Sequence, residues 1–287
     1  MEARKKYKLK GHETFCIREG WLAKGIQAVA ENPKVFSEMY GADALGVGSN
    51  MAKAIRYWLK VLGLTMELPS KGVCLSDFGR LLYDKDACFE EIFTLWCLHI
   101  NLVQNREKAT IWYLFFGRSG LEEFTREELE QTVLRELYRY VGDIEFSERS
   151  LRDDCTVLLQ MYAREGKQEL DPEDKKICPL TRLGLMRKNN NVYQRTEPDL
   201  SGIGSEILCY LLLTCYPGIT AISMEEFYQG ELGIHRVLGI GIGAYQEYLE
   251  GMVKRGWVDM NRTAGLDMLY PKGDLSADVL LQEFWER

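Results

Sequence analysis

The chain has 287 residues, 46% of them apolar and 28% charged, which is enough hydrophobic material for sizeable cores and excludes a disordered chain. At roughly 150 residues per domain, this length suggests about two units, and three small ones are also allowed. A net charge of −7 and a pI near 5.3 argue against a generic polybasic binder of nucleic acid, but not against one basic face on an acidic body.

The basic N-terminus (Arg4, Lys5, Lys6, Lys8, Lys10) is not followed by an apolar signal core, so export is not expected. A first helix is predicted from Arg18 to Glu31, ending at Asn32-Pro33, followed by an amphipathic stretch over Lys34–Tyr40. After the turn Gly46-Val47-Gly48, Ser49 is placed as an N-cap. Met51, Ile55, Trp58, Leu59 and Leu62 then recur at helical spacing, and Gly63 closes the helix. The other face of this helix carries Ser49, Lys53, Arg56 and Lys60 at spacings of four, three and four. Two strand-like pieces, Leu64–Leu68 and Val73–Leu75, flank the turn Pro69-Ser70-Lys71-Gly72. Helix, turn, basic helix and hairpin in that order make a winged helix-turn-helix signature. Ser76 opens a further helix.

Ile92–Val103 reads as a buried core helix, too short to span a bilayer. Thr125-x-x-Glu128 is a capping box for a helix that reaches Tyr140 and breaks at Gly142-Asp143. Ser147 caps the next helix, with Leu151, Cys155, Leu158, Leu159 and Tyr162 on its apolar side and Arg149, Arg152 and Thr156 on its polar side. A loop over Gly166–Lys176 leads to Pro179–Leu185 and a hairpin about Asn189-Asn190-Asn191. The order recurs a third time. Glu206–Tyr216 is an apolar helix, Ser223-x-x-Glu226 a capping box, Tyr245–Arg255 a helix, and Trp257–Met260 with Leu266–Tyr270 a pair of strands. The predicted fold is mainly α with small β-hairpins, an α+β arrangement of tandem winged-helix-like units. Three segments are expected: 1–118, 119–200 and 201–287.

No pattern nominates a catalytic residue. His12-Glu13 lacks metal-ligand partners and is read as structural, with Glu13 or Thr14 capping the following helix. Cys97-x-His99, near Cys88, lies in an apolar helix, where core packing is the better reading than zinc. Gly239-x-Gly241-x-Gly243 has neither a preceding strand nor a Walker ending, and reads as a turn between helices. The eight cysteines form no CxxC pair, so no disulfide and no metal or other cofactor is expected, in a reducing cytoplasm.

Charge is segregated along the chain. Residues 44–66 (Lys53, Arg56, Lys60) and 175–195 (Lys175, Lys176, Arg182, Arg187, Lys188, Arg195) contain no acid. Duplex DNA is therefore expected to meet Ser49, Asn50, Lys53, Arg56 and Lys60 on the basic helix. Lys71 in the wing, and Arg182, Arg187 and Lys188 at the second hairpin, are expected to reach phosphates. The bland alternative is an ordinary solvated helix face.

Gly11-His12-Glu13-Thr14-Phe15, Gly20-Trp21-Leu22-x-Lys24-Gly25, Leu45-Gly46-Val47-Gly48-x-Asn50-Met51 and Ile55-Arg56-Tyr57-Trp58 resemble a bacterial family, domain of unknown function number 4007. Pro179-Leu180 and Leu183-Gly184-Leu185 are similar to a later motif of that family, and Cys16 stands where the family is expected to carry Pro. The resemblance implies a genomic setting: DNA sulfur-modification (phosphorothioation) and phage-defence islands, beside phosphoadenosine-phosphosulfate-reductase-like proteins. The expectation is a non-enzymatic DNA-binding or adaptor subunit, with such a reductase-like protein as a partner and no membrane attachment. The alternatives are a transcriptional regulator of that gene cluster and a protein–protein scaffold without direct DNA binding.

Overall fold

The computed structural model describes residues 5–37, 39–142, 145–165, 177–263 and 266–287. The fold is mixed α+β, mostly helical, with three small sheets among the described residues. No described helix is long and apolar enough to cross a membrane.

The first segment begins with helices α1 (Trp21–Glu31), α2 (Ala42–Leu45) and α3 (Ser49–Val61). Strands β1 (Thr65–Leu68) and β2 (Gly72–Leu75) follow as an antiparallel hairpin, then α4 (Asp77–Lys85), α5 (Ile92–Gln104), α6 (Thr110–Tyr113) and a π-helical turn, Leu114–Ser119. Helix α1 starts three residues later than expected, because Gly20 precedes it in a left-handed conformation. Residues 34–37 form turns, and Met39–Gly41 is a short 3-10 segment in which Tyr40 has φ 58°. Gly48, not Ser49, is the N-cap of α3, and no side chain caps it. Ser76 does cap α4, its hydroxyl accepting the Gly79 N–H.

The middle segment contains β3 (Glu123–Thr125), α7 (Arg126–Val141), α8 (Glu148–Tyr162), β4 (Ala163–Glu165), a 3-10 turn at Pro179–Leu183, β5 (Met186–Asn189) and β6 (Val192–Arg195). Both expected caps form: Thr125 and Glu128 make the capping box, and Ser147 accepts the Ser150 N–H. The predicted loop Gly166–Lys176 lies outside the described residues. Strand order is β3-β6-β5-β4, with β4 parallel to β5 and the other pairs antiparallel.

The last segment contains α9 (Gly204–Cys215), β7 (Ile222–Ser223), α10 (Met224–Gln229), α11 (Ile234–Leu238), α12 (Ile242–Lys254), β8 (Val258–Thr263), β9 (Leu266–Pro271) and α13 (Ala277–Trp285). Its strand order is β7-β9-β8, all antiparallel. Gly239–Gly241 form the turn between α11 and α12, Gly243 lies in the first turn of α12, and the Gly241 N–H donates to Glu197 Oε1 at 2.7 Å.

The buried apolar side chains form one continuous cluster across all three segments. Helix α5 is its centre. Cys97 and His99 of this helix are fully buried, as core packing requires, whereas Cys88 lies exposed in the preceding loop. The Val237 carbonyl sits 2.9 Å from His99 Nε2, and a carbonyl can only accept. The ring proton is therefore on Nε2, and Nδ1 accepts the Tyr162 hydroxyl at 2.8 Å. Burial pushes the imidazole pKa down from 6.5 to about 3, helped by the Arg195 guanidinium, and the Val237 carbonyl only partly opposes this.

The consequence for acid stability has a definite sign. Between about 6.5 and about 3 the unfolded chain takes up the His99 proton and the folded chain does not. This contribution is full above 6.5 and is lost as pH falls through that window. At about pH 5 the loss is about 2 kcal/mol. Urea midpoints should therefore fall more steeply from about pH 7 to about pH 5 in the wild type than in His99→Gln. Equal slopes would refute the assignment.

Candidate nucleic-acid interface

Helix α3 forms because Ala52, Ile55, Trp58, Leu59 and Leu62 put one apolar stripe into the core, leaving the basic stripe outside. Ser49 and Asn50 are exposed at its start. Lys53 lies over the Tyr40 ring at 4.4 Å, and Arg56 is 5.8 Å from the Phe36 ring. The strand that follows supplies an acid. Glu67 of β1 takes Arg56 Nη2 at 2.9 Å on one oxygen and Lys60 Nζ at 2.9 Å on the other. The Lys60 hydrogen bond foremost, with Arg56 adding to it, holds the Glu67 carboxyl below its ordinary range against partial burial. The stretch without acid thus ends one residue before the carboxylate that clamps two of its three cations. A crevice of about 390 Å³ beside this clamp is lined by Phe36, Arg56, Glu67 and Val73.

The second predicted set lies on other elements. Lys71 is exposed in the β1–β2 turn. Arg182 Nη2 donates to the Glu90 carbonyl at 2.6 Å, so its fork is used to hold a loop. Arg187 is exposed on β5. Lys188 beside it lines a crevice of about 290 Å³ with Arg126, Thr156, Gln160 and Tyr193. Arg195 is buried, donating to the Arg236 carbonyl at 2.6 Å, and serves the core. The fold therefore places the nine predicted residues on α3, the first hairpin, the 3-10 turn and β5. Of these, Arg56, Lys60 and Arg182 have intramolecular anionic or carbonyl partners.

The Gly11–Phe15 motif proves to be architecture of a kind its spacing does not reveal. Glu13 and Thr14 cap nothing; they sit in a turn at φ 51° and 71°. A Cβ on Gly11 would lie 2.3 Å from the Tyr57 ring, so only glycine fits there. His12 is fully buried, stacked on Trp58 at 5.5 Å and edge-on to Trp112. Its Nδ1 accepts the Thr14 N–H at 3.1 Å, which leaves the proton on Nε2. Nε2 is 2.6 Å from Asp154 Oδ1, off the direction of a linear hydrogen bond. Asp154 also accepts the Lys10 N–H at 2.9 Å. Burial pushes its carboxyl pKa up, and His12 and Lys10 draw it back. Asp154 lies 142 residues from His12 in sequence, and the polar face assigned to α8 did not include it.

The family described as "Protein of unknown function (DUF4007)" matches residues 9–285. The chain belongs to this family. The match spans all the elements above from the Gly11–Phe15 motif to α13. Two solved structures are similar to this DUF4007 chain. A magnesium ion-bound SspB crystal structure has TM-score 0.85 and 25% identity, over 99% of this chain and 89% of that one. An SspB crystal structure has TM-score 0.84 and 26% identity with the same coverage. A comparison with curated proteins gives no match.

Removing the Asp154 carboxyl would strand the Lys10 N–H in a dry environment and take away the anion 2.6 Å from His12 Nε2. Asp154→Ala should therefore lower unfolding free energy by about 3 kcal/mol or more, and Asp154→Asn, which keeps one acceptor oxygen, by clearly less. Urea denaturation measures both. A loss under about 1 kcal/mol for the alanine variant would mean that the pair does not hold the N-terminal segment.

Proposed function

We propose that this chain binds duplex DNA through winged-helix-like units, as the DNA-binding or adaptor subunit of a DNA sulfur-modification or phage-defence system. One observation carries the reading. In both the middle and last segments a strand precedes two or more helices and a hairpin, and it pairs with the hairpin's second strand, giving β3-β6-β5 and β7-β9-β8. This is the strand and helix order of a winged helix, a fold that sets a helix in a groove and a hairpin on the backbone. The first segment has the helices and hairpin without the extra strand. The family's expected setting among defence genes supports the biological half of the proposal.

One similar structure is magnesium-bound. Among the described residues no group of three or more His, Cys, Asp or Glu is placed to hold an ion, so the residues do not fit a protein-built metal cage, and the proposal uses none.

A second reading, a scaffold for a protein such as a phosphoadenosine-phosphosulfate-reductase-like partner, is favoured by the exposed Met39 (65%), Tyr40 (46%) and Met66 (44%) on the first segment. The two readings predict different binding data.

Fluorescence anisotropy with a short duplex should give binding at low salt that weakens as salt rises. About six neutralised phosphates would give a log–log slope of roughly −5. Lys53→Ala with Arg187→Ala should weaken binding on all sequences, and Asn50→Ala should alter sequence preference instead. Glu67→Gln, which unclamps Arg56 and Lys60, should tighten it. No binding at low salt, with nuclease-insensitive recovery of the reductase-like protein in a pull-down, would establish the scaffold instead.

A further inference from the structure

A second basic surface, less compensated than that of α3, joins the N-terminal strip to the loop between α5 and α6. Lys5, Lys6, Tyr7 and Lys8, with Glu107 and Lys108 from the loop between α5 and α6, line an open crevice of about 460 Å³. The strip is fixed from beneath. Lys8 donates its N–H to Thr110 Oγ1 at 3.1 Å, and the Tyr7 ring lies edge-on to Phe146 at 6.4 Å. Two residues on, Lys10 is held by Asp154 through its N–H and by Asp153 through Nζ at 2.8 Å. With the backbone and Tyr7 held, the side chains of Lys5, Lys6, Lys8 and Lys108 are left exposed.

Their charge is not cancelled. Among the described residues none of these four lysines has an ion pair; Lys5 lies over the Tyr140 ring at 5.0 Å, which leaves its charge intact. Glu107 is the one acid lining the crevice. In α3, by contrast, two of three cations share Glu67.

We propose that Lys5, Lys6, Lys8 and Lys108 form the principal phosphate-contact surface of this protein for duplex DNA, a refinement that rests on the DNA-binding reading above. Lysines are strongly hydrated point charges on flexible stems, suited to phosphates rather than to bidentate recognition of a base edge. The contact is therefore independent of sequence: it holds the duplex and leaves base reading to other elements. An acidic protein is the competing occupant, and it lacks the regular phosphate array that a row of lysines on a fixed backbone can follow.

The test uses the full chain and a short duplex of arbitrary sequence, read by anisotropy across a salt series. Replacing Lys5, Lys6, Lys8 and Lys108 together by alanine should weaken low-salt binding about tenfold or more and flatten the salt slope by roughly 3 to 4. Lys53→Ala should change the slope by no more than about one. Thermal melting of the fourfold variant should match the wild type, because none of these side chains is buried. Amine acetylation read by mass spectrometry gives a second measurement without mutation. Duplex DNA should protect these four lysines, and polyglutamate at equal charge should not. If the wild type binds duplex while the fourfold variant binds within about twofold and with the same slope, the strip is wrong and the DNA-binding reading stands. Equal protection by polyglutamate overturns the strip as a DNA surface, and absence of wild-type binding at low salt overturns both.

Discussion

The neutral imidazole of His99 is the contact on which the arrangement of the three segments turns. It belongs to α5 in the first segment, accepts a hydroxyl from Tyr162 of α8 in the second, and donates to the carbonyl of Val237 in α11 in the third. Both ring nitrogens are satisfied only in one tautomer and only without charge, so the site tolerates neither a second proton nor a shift of either neighbour. Phe116 and Tyr162 pack edge-on against the ring, which removes water and raises the cost of leaving any of these groups unpaired. Arg195 repeats the device nearby, lying over Phe116 while donating to Arg236 of α11.

The buried pair of His12 and Asp154 does for the N-terminal strip what His99 does for the helices. Trp58 and Trp112 enclose the imidazole, and Trp58 Nε1 donates to the Phe15 carbonyl, so the motif is sewn to α3 and α6 as well as to α8. A dry carboxylate next to an imidazole has the composition of a catalytic dyad. Here both side chains are essentially inaccessible, and their hydrogen-bonding capacity is directed at the backbone of residues 10–14. What the pair accomplishes is to hold a short, extended, lysine-rich segment without secondary structure against the body of the protein.

Much of this was legible locally. Thr125, Ser147, Ser223 and Ser76 each predict a helix start because a cap is decided by a hydroxyl and an N–H three residues away. The apolar α5 and α9 were likewise readable from composition alone. Strands β3, β4 and β7 were not, since two or three residues carry no periodicity and exist only because a hairpin offers them an edge. The cap of α3 was misplaced by one residue because Ser49 is a good capping side chain, while the chain turns at Gly48. The site was harder still. Charge runs along a sequence say nothing of what lies across a turn, and Glu67 stands one residue beyond the run and one strand away in space. Asp154 and Lys108, which complete the two arrangements at the N-terminus, are about a hundred residues or more from their partners in sequence.

On the proposed reading, an acidic body and a basic strip would work together in binding a polyanion. With a net charge of −7, most faces of the molecule repel a polyanion, and that repulsion acts over about a Debye length, near 8 Å at physiological salt. An uncancelled cluster on such a body would fix the orientation of approach, because rotating the strip away from a phosphate backbone would turn attraction into repulsion. If the cations were spread evenly, the chain would meet DNA in many poses and gain affinity without register. Clamping Arg56 and Lys60 on Glu67 would act in the same direction, because it leaves α3 with less free positive charge. Exposed ion pairs are worth only about 0 to 1 kcal/mol, so if the chain binds a nucleic acid as proposed, these pairs would matter less for stability than for which surface the nucleic acid meets first.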